Sequence, residues 1–503
     1  MIGFAVLILA VTVCFWHLIK YIIWLIRAIN LTANIPGPKA LPLIGNALIF
    51  AKVSTQKEAL TTVMSTFNDY TNKDGIVKLW LGPKPLILLS NAKYIEIILN
   101  SQDAINKDDI YNYIGLIANG LFVRNGQEWH ELRKPLDKAL SKKMIESNIQ
   151  VFHEKALKLG NVLKKYAGTK TDFNLRRYMT NYAFDIICIS SFGLDLNEIE
   201  NEQYDLLGNV QSIEDIVLKM MIQIPYNICL TYAKHSKAGR RLKKLSKIFW
   251  KLSHELLDGR LREKKIKTES DCGIPVYYAD ILQAKAFKDK LSWEDTGRLV
   301  SDYLIAGFDT SAATLSYVLL FLAMFPEHQE AIYQEQIDIL GDDIELQPTW
   351  EQLSKMDYLN RIMKEVWRLY SAIGIVRKLT NDIDLGEYKI PEGFSVYIML
   401  NTLHKNREIW SHPNEFYPDH FLPEEIAKRP KGSYIPFSLG PRNCPGGVYA
   451  NVSIKTMVSV VIRKYKFETD LQFEKLEYKY SLLLEPVQDY LVRILDRNCI
   501  NDR

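Results

Sequence analysis

The segment PFSLGPRNCPGG, residues 436–447, encloses a single cysteine, Cys444, between glycines and an arginine. Three roles are open to this cysteine: a buried structural thiol, a nucleophile or a metal ligand. Gly440, Gly446 and Gly447 permit tight turns and the close approach of a flat ligand. Backbone N–H groups freed by such a loop can point at the sulfur and stabilise a thiolate. From this segment alone, metal ligation and the structural role stay open as alternatives.

Two neighbours of Cys444 favour a haem ligand over a nucleophile. Phe437 can shield one side of the sulfur from water, and Arg442 can reach an anionic group beside a metal. A thiolate, a dry pocket and a cation for a carboxylate together suit haem with its propionates. A nucleophilic cysteine would need a basic partner, and no signature of that kind adjoins the segment.

The composition bounds the class of protein. A chain of 503 residues with 48% hydrophobic and 24% charged residues is ordinary for a globular protein. The net charge of +4 is small for this length and does not indicate a nucleic-acid partner. The cysteines are scattered without a C-x-x-C pair, which fits a reducing compartment. They lie at positions 14, 188, 229, 272, 444 and 499.

The first 27 residues, MIGFAVLILAVTVCFWHLIKYIIWLIR, form an apolar stretch long enough to cross a bilayer as one helix. No clear basic leader or small-residue cleavage site marks a cleaved signal peptide. Lys20, Arg27 and Lys39 flank only the C-terminal side, so the positive-inside rule places the bulk of the chain in the cytosol. We expect a transmembrane anchor over residues 1–27 and a proline-rich hinge over residues 28–45.

Helical periodicity dominates residues 91–375, with short strands near both ends of the chain. The segment GIVKLWLGPKPLILLS predicts two strands around a Gly-Pro turn, and residues 267–278 read as a loop between helices. The remaining residues 46–503 read as one large catalytic domain. The predicted fold class is mainly α with small β-sheets (α+β).

One helix stands out by length. A capping box at Ser292 and Asp295 and a stop at Pro326 bound about 30 residues. Its middle and C-terminal half are apolar nearly all round, which predicts a path through the core.

The pattern F-x-x-G-x-R-x-C-x-G, from Phe437 to Gly446 and followed by Ala450, resembles the haem-binding loop of the cytochrome P-450 family at every defining position. Three further motifs occur in the family's order, so the resemblance covers almost the whole chain. It implies the cytochrome P-450 fold with a long central distal helix. It also implies that Cys444 is the axial thiolate ligand of haem b and that Phe437, Arg442 and Gly446 bind the cofactor.

The motif AGFDTS, residues 306–311, lies within the long helix. An acid and an alcohol side by side in an apolar helix are expensive to bury unless they are used. The Thr310 hydroxyl can bond to a carbonyl of its own helix and open the helix locally, and Gly307 leaves room for a ligand. The resemblance implies that Asp309 and Thr310 are catalytic and deliver protons for oxygen activation.

The motif E-x-x-R, Glu365 and Arg368, places an acid and a base on one helix face. In the family this is a buried structural pair, usually completed by an arginine of a PERF-like motif. This chain has FYPDHF, so His420 stands where that arginine is usual. Histidine offers fewer donors and can be neutral, which predicts weaker or pH-sensitive support for the cysteine loop.

The segment WHELR matches the family's propionate-binding pair, which implies that Trp129 and Arg133 bind haem. Arg377 matches the other usual propionate cation. By analogy the substrate pocket is lined near residues 105–123 and 482–484. The individual pocket residues are Ile305, Ala306, Phe308, Ile373 and Val376.

The chain looks most like the branch of the family that contains fatty-acid ω-hydroxylases and many insect microsomal enzymes. Many members of that branch carry a glutamate where Ala306 stands, and that glutamate can form an ester to haem. Alanine cannot, so we expect non-covalent haem.

The resemblance implies a monooxygenase of the endoplasmic reticulum membrane, acting on a fatty acid, a steroid or hormone, or a xenobiotic. Electrons would come from NADPH through cytochrome P-450 reductase, with cytochrome b5 as a further partner. The basic cluster RKPLDKALSKKM, residues 133–144, would suit docking of an acidic reductase, although a solvated helix face explains it equally well.

Two alternatives stay open. A haem-thiolate isomerase or lyase rearranges peroxides without a reductase, and the intact Asp309–Thr310 pair argues against it. A non-catalytic haem sensor would need a distal residue able to occupy the sixth iron position, and residues 305–311 offer no clear candidate.

Overall fold

The computed structural model describes residues 2–223, 229–267, 277–370, 374–480, 483–497 and 499, which form mostly helix. The α-helices are α1 (Ile2–Leu31), α2 (Gln56–Tyr70), α3 (Ala92–Asn100), α4 (Gly126–Ala139), α5 (Lys142–Ser147), α6 (Ile149–Leu163), α7 (Leu175–Phe192), α8 (Glu198–Asn201), α9 (Leu206–Ile222), α10 (Leu230–His235), α11 (Lys237–Lys267), α12 (Tyr278–Lys288), α13 (Trp293–Met324), α14 (Pro326–Leu340), α15 (Trp350–Lys355), α16 (Asp357–Leu369), α17 (Leu400–His404), α18 (Pro423–Lys428) and α19 (Gly447–Lys464).

Short strands and 3-10 helices join these helices. The strands are β1 (Ile76–Leu81), β2 (Lys84–Leu89), β3 (Phe173–Asn174), β4 (Ile375–Lys378), β5 (Ile383–Asp384), β6 (Lys389–Ile390), β7 (Ser395–Ile398), β8 (Tyr465–Glu468), β9 (Tyr478–Tyr480), β10 (Leu484–Pro486) and β11 (Leu491–Asp496). The 3-10 helices are Ala47–Phe50, Gln102–Ala104, Asp109–Leu116, Lys164–Tyr166, Pro418–Phe421 and Phe473–Lys475. The predicted class, mainly α with small sheets, is confirmed.

Helix α13 runs through the core, as its sequence predicts. The Ser292 hydroxyl accepts a hydrogen bond from the Asp295 amide at 3.1 Å, which caps the first turn. The helix spans 32 residues, and Pro326 begins α14 directly after it. Residues 311–323 are all buried, because α7, α11, α16 and α19 pack around this part of the helix.

The predicted hairpin around the Gly82–Pro83 turn is confirmed, with Ile76 opposite Leu89 in antiparallel register. Strand β7 adds to β2 in parallel, and β4 pairs antiparallel with β7. This four-stranded sheet, in the order β1-β2-β7-β4, carries Arg377 on its edge strand. Smaller sheets pair β3-β11-β8, β9-β10 and β5-β6.

Two helices within the described residues are long and apolar enough to cross a membrane: Val6–Leu31 in α1, and α13. Helix α13 is largely buried in the protein, whereas the apolar side chains of α1 are exposed. Helix α1 continues to Leu31, beyond the predicted boundary at residue 27. Its last turns pack on the domain, where Ala28 is buried and the Trp24 indole N–H donates to the Glu392 carbonyl at 3.1 Å. The division into three segments stays a prediction, and most of the predicted loop at 267–278 lies outside the described residues.

Candidate active site

The cysteine loop folds back on itself before α19. The Cys444 amide donates to the Phe437 carbonyl at 2.8 Å, and the Asn443 amide donates to the Gly440 carbonyl at 3.1 Å. Gly440 has φ +71°, and a Cβ there would lie 2.0 Å from the Leu99 carbonyl oxygen. Glycine is therefore required at this turn both by its backbone conformation and by the close approach of α3.

The surroundings of Cys444 fit a metal ligand better than a nucleophile. Cys444 is exposed, so it is not a buried structural thiol. The atoms packed around its sulfur nevertheless raise the pKa of the thiol by desolvation, while the Gly446 backbone N–H and the charges of Arg133 and Lys107 lower it more weakly. A nucleophilic cysteine needs a lowered pKa, and this site does not provide one. A bound metal ion deprotonates a coordinating thiol directly. The structure also contains the predicted hydrogen bond from the loop to the sulfur, which the Gly446 backbone N–H donates.

Phe437 lies where the sequence predicts a shield. Its ring packs edge-on against Trp367 at 4.8 Å between centroids, and a Cβ on Gly447 would lie 3.4 Å from the Phe437 ring. The indole N–H of Trp367 donates to the Thr314 hydroxyl on α13 at 3.2 Å. Phe437 thus joins the cysteine loop to α16 and, through Trp367, to the central helix.

Three buried cations, Lys107, Arg377 and Arg442, lie close to one another beside the cysteine loop. No carboxylate within the described part of the chain forms an ion pair with any of them. Burial and the Arg377 charge lower the pKa of Arg442 to about 9. Its Nη2 has no hydrogen-bond partner, and Nη1 donates to the Arg124 carbonyl at 2.9 Å. Buried charge of one sign is costly unless an anion joins it.

A flat cofactor with two carboxylates would fit both the buried cations and the adjacent cysteine. The carboxylates of haem would neutralise the buried cations, and the adjacent Cys444 would supply the metal ligand. The orphaned Arg442 guanidinium nitrogen and the mutual repulsion of the cations are the observations that make the residues fit haem.

Lys107 was not expected from the sequence. Its ammonium lies 3.4 Å from the Phe122 ring centroid and 4.4 Å from that of Tyr111, and its backbone forms a bridge with Arg377. Burial, Arg377 and Arg442 hold the pKa of Lys107 well below its ordinary value. In the sequence NKDD this lysine reads as a solvated residue among acids. In the sequence, the feature that could have indicated the burial of Lys107 is the presence of aromatic residues after it, which can pack against a cation.

The predicted propionate-binding pair on α4 occupies two different environments. Trp129 is buried, and the Arg442 guanidinium lies 4.6 Å from its ring centroid, so Trp129 belongs to the cation cluster. Arg133 donates to the Asn443 carbonyl and side chain and to Asp137 at 2.8 Å. Arg133 therefore fixes the residue next to Cys444, and its contact with haem stays a prediction.

The centre of α13 exposes two of the residues that the sequence singles out. Ala306 is exposed and Thr310 is half-buried, although the helix around them is buried. The Thr310 hydroxyl donates to the Ala306 carbonyl at 2.8 Å, as predicted. Gly307 has a packing role instead of leaving room for a ligand, because a Cβ there would lie 3.0 Å from Ile187 of α7.

Asp309 is held by a buried arginine. Arg176 of α7 pairs with the Asp309 carboxylate through Nη2 and donates to the Asp309 carbonyl from Nη1 at 3.2 Å. The Nε of Arg176 lies 3.6 Å from Glu485, whose pKa is raised overall by burial although the Arg176 charge opposes this shift. Whether Asp309 delivers protons stays a prediction, but its position is set by this ion pair.

The predicted pocket residues divide into two groups. Ile305 and Val376 are half-buried and Ala306 is exposed, which is compatible with lining a pocket. Phe308 is fully buried between Phe184 of α7 and Phe249 of α11, at 5.5 and 6.4 Å between ring centroids. Its assignment to the pocket is corrected to the core, because α7 and α11 cover that side of α13. Ile373 and position 482 lie outside the described residues.

The Glu365–Arg368 pair is completely buried. Arg368 donates to both carboxylate oxygens, at 2.7 and 2.8 Å, and to the carbonyls of His404, Pro413 and Glu415. Burial raises the pKa of Glu365, but hydrogen bonds from Arg368 and His420 outweigh it and lower the pKa overall. The pair therefore ties α16 to the segment that precedes the cysteine loop.

His420 stands where the sequence resemblance predicts an arginine, and its two ring nitrogens face different groups. Its Nε2 accepts the His412 backbone N–H at 3.3 Å, so the proton resides on Nδ1, which faces Glu365 at 3.2 Å. One imidazole thus supplies a donor and an acceptor. An arginine could supply only donors.

We expect His420→Arg to destabilise the protein although it restores the usual family residue. The His412 N–H would lose its acceptor and a second buried positive charge would adjoin Arg368, costing about 1–3 kcal/mol. His420→Gln is the matched control, because an amide both donates and accepts, and it should cost less. Thermal unfolding followed by circular dichroism measures both. An arginine variant at least as stable as the native chain would contradict the acceptor role of the His420 Nε2.

Comparison with known proteins agrees with this geometry. A model of the cytochrome P450 family matches residues 35–493. The chain is 31% identical over 496 residues to cytochrome P450 4c3 of Drosophila melanogaster, covering 94% of this chain and 91% of that protein. It is 30% identical over 478 residues to cytochrome P450 4c21 of Blattella germanica, covering 92% and 94%. For human cytochrome P450 4V2 the identity is 27% over 475 residues, covering 92% and 89%.

Such enzymes take electrons from a redox partner and oxidise hydrophobic substrates. Because the family match covers nearly the whole chain, it implies the cofactor of the family, a non-covalent haem b held by a cysteine thiolate. This chain belongs to the cytochrome P450 family of monooxygenases.

Proposed function

We propose that this chain is a microsomal monooxygenase that inserts one oxygen atom into a fatty acid, a steroid or hormone, or a xenobiotic. Cys444 is the proposed axial ligand, and Lys107, Arg377, Arg442 and Trp129 are the proposed contacts of the haem carboxylates. Bound haem supplies dioxygen activation and the transfer of one oxygen atom to substrate. The part played by the protein is to hold the ligand, exclude water and deliver protons.

The observation that carries the proposal is the polar centre of α13. Thr310 is half-buried with its hydroxyl on the Ala306 carbonyl, and the adjacent Asp309 is paired with Arg176. A peptide carbonyl engaged by a side chain leaves the helix ladder locally weakened, which favours entry of water beside Thr310. For Asp309 to pass a proton toward Thr310, its carboxylate must first leave Arg176. An isomerase or a sensor has no need of such an arrangement.

Electrons are proposed to come from NADPH through a flavoprotein reductase, with cytochrome b5 as a second donor. Lys134 and Lys138 of α4 are exposed and line a surface recess together with Pro441 and Asn443 of the cysteine loop. A negatively charged partner bound there would lie against the loop that carries Cys444. The proposed location is the endoplasmic reticulum membrane, with α1 as the anchor and the catalytic domain in the cytosol.

The function is tested by the spectrum of the reduced protein under carbon monoxide, followed by turnover. The native chain should show the red-shifted Soret band of a thiolate-ligated haem, and Cys444→Ser should lose it. With NADPH and reductase, the native chain should oxidise a long-chain fatty acid or another apolar substrate. Thr310→Ala should keep NADPH consumption but lose product several-fold, because protons arrive without control.

Other outcomes separate the rival functions. Rearrangement of a hydroperoxide without reductase, and no turnover with NADPH, would indicate an isomerase. A red-shifted band with neither activity across fatty acids, steroids and xenobiotics would favour a sensor.

Lys107→Met should weaken haem retention. Loss of one charged hydrogen bond to a haem carboxylate is worth about 1.5–3 kcal/mol, so haem should transfer to apomyoglobin roughly tenfold faster or more. Lys378→Met is the matched control, since Lys378 is on the same strand as Arg377 but is partly exposed and paired with Asp109. Equal rates for the two variants would contradict the assignment of Lys107.

The haem-free chain supplies a second readout at Lys107. Its pKa is lower in the folded chain than in the unfolded chain, so the unfolded state binds more protons. The contribution of Lys107 to the stability of the haem-free protein should therefore rise with pH as the pH approaches the ordinary lysine value of about 10.4, and it is read as the difference between the native chain and the variant. Lys107→Met should reduce this rise of the unfolding free energy with pH, and urea unfolding at several pH values measures it.

Charge reversal at Lys134 and Lys138 should weaken reductase docking. We expect Lys134→Glu with Lys138→Glu to raise the reductase concentration needed for half-maximal turnover by about tenfold at low salt, and less at high salt. Lys431→Glu on an exposed part of the chain serves as the control. Unchanged reductase dependence, with the carbon monoxide spectrum intact, would place the docking surface elsewhere.

A further inference from the structure

We propose that the Arg176 guanidinium exchanges between two buried acids, Asp309 and Glu485. When Asp309 turns toward Thr310, Glu485 takes its place as the counter-ion of the arginine. Glu485 is then a positioning residue, which acts through Arg176 and touches no reacting atom. The proposal rests on the delivery of protons by Asp309 that is proposed above. It adds the partner that allows Asp309 to be released.

Arg176 lies between the two acids. Its Nη2 pairs with the Asp309 carboxylate, whereas its Nε lies 3.6 Å from Oε1 of Glu485. That Nε is buried and has no hydrogen-bond partner among the residues that the structure describes. The side chains of all three residues are at most 6% exposed. Arg176 therefore has an engaged nitrogen beside the first acid and an unengaged nitrogen beside the second.

Glu485 is held loosely by its neighbours. Its other oxygen, Oε2, lies 3.6 Å from the ammonium of Lys479, which is directly opposite it in the β9–β10 hairpin. Both distances exceed the length of an ordinary hydrogen bond. Burial raises the pKa of Glu485 overall; the Arg176 charge opposes this shift and the Asp309 charge reinforces it. Glu485 is thus a second acid without a close partner while Asp309 occupies Arg176.

The position of Glu485 is set by backbone contacts and does not depend on its charge. The Tyr317 hydroxyl on α13 donates to the carbonyl of Leu484 at 2.8 Å. Tyr317 follows Asp309 by about two turns of the same helix, so strand β10 is attached to α13 close to the acid. Replacement of Glu485 by glutamine, which has the same shape, leaves this attachment in place.

The exchange follows from the cost of an unpaired buried charge. Release of Asp309 without a replacement would leave the Arg176 guanidinium uncompensated, which strongly destabilises a protein. Once Asp309 has taken up a proton from water, its carboxyl is neutral and attracts Arg176 less. Glu485 at the same time loses the repulsion of a second carboxylate. A small shift then brings Nε to hydrogen-bond distance, so protonation of Asp309 and closure of Arg176 on Glu485 favour each other.

The other titratable groups around these three residues are weaker competitors for Arg176. The phenols of Tyr317 and Tyr490 stay neutral, because burial raises the pKa of each well above its ordinary value. The charge of Glu214 on α9 acts on Arg176 more weakly than that of either buried acid. Release of one acid therefore leaves the other as the strongest counter-ion.

A double-mutant cycle on the full-length, haem-loaded chain tests the exchange. Asp309→Asn imitates the neutral acid, and Glu485→Gln removes the charge that is proposed to replace it. Urea unfolding is followed by Soret absorbance and by circular dichroism. We expect Glu485→Gln to change the folding equilibrium constant little in the native background. In the Asp309→Asn background it should lower that constant roughly tenfold more, because Glu485 is then the main counter-ion of Arg176.

Lys479→Met is the matched control, because it removes the cross-strand partner of Glu485 and leaves Arg176 untouched. Its effect on stability should be the same in both backgrounds. If Glu485→Gln also had the same effect in both backgrounds, Glu485 would only hold the hairpin, and the exchange would be overturned.

Turnover tests whether the exchange assists proton delivery. With NADPH, reductase and the substrate that the native chain oxidises, Glu485→Gln should form several-fold less product per NADPH. Its solvent deuterium isotope effect should increase, its KM for the substrate should stay unchanged, and Glu485→Asp should restore part of the yield. A native yield and isotope effect in Glu485→Gln would overturn its positioning role. A native yield in Asp309→Asn would instead refute proton delivery by Asp309, and the cycle would still decide whether Arg176 exchanges.

Discussion

A cluster of buried cations, with no carboxylate of the described residues in direct ion-pair contact, is the constraint on which the centre of this molecule depends. Lys107, Arg377 and Arg442 come from three distant parts of the chain, and no carboxylate among the described residues forms a direct ion pair with them, although buried Asp302 offsets part of the charge of Lys107 and Arg442. Their desolvation opposes folding until an anion joins them. If the haem carboxylates bind these cations, as proposed, the cofactor would contribute to the stability of the fold as well as to the chemistry, because it would neutralise charge that the protein only partly balances.

Helix α13 serves two purposes along one stretch. On the side toward α7, Arg176 balances Asp309 and Gly307 allows Ile187 to approach closely. On its more exposed side, Ala306 and Thr310 remain accessible within a helix whose central and C-terminal part is mostly buried. The Asp309–Arg176 ion pair thus lies on the α7 side of the helix, and the Thr310 hydroxyl lies on its more accessible side. Such a division places the Asp309–Arg176 ion pair in the core, away from the accessible face that carries Ala306 and Thr310.

Features set by local chemistry were predictable from the sequence. The cysteine loop, the β1–β2 hairpin and the start of α13 each follow from turn residues, alternation or a cap within a few positions. Features set by distant neighbours were not. Lys107 reads as solvated because its burial depends on a bridge to Arg377, and Phe308 reads as a pocket residue until α7 and α11 are known to cover it. The tautomer of His420 could not be predicted either, because it depends on the His412 backbone N–H that Nε2 accepts.

The packing of α1 against the rest of the protein bears on how a form of this enzyme without α1 can be obtained. Shortening the chain at the end of the apolar stretch would remove Trp24, leaving the rings of Trp80 and Phe394, which it now covers, open to solvent. Loss of Arg27 would also leave Asp382 with Lys389 as its remaining ion-pair partner. A truncated form would therefore present a new aromatic surface and associate with itself, so monodispersity after truncation depends on where the cut is made relative to Trp24.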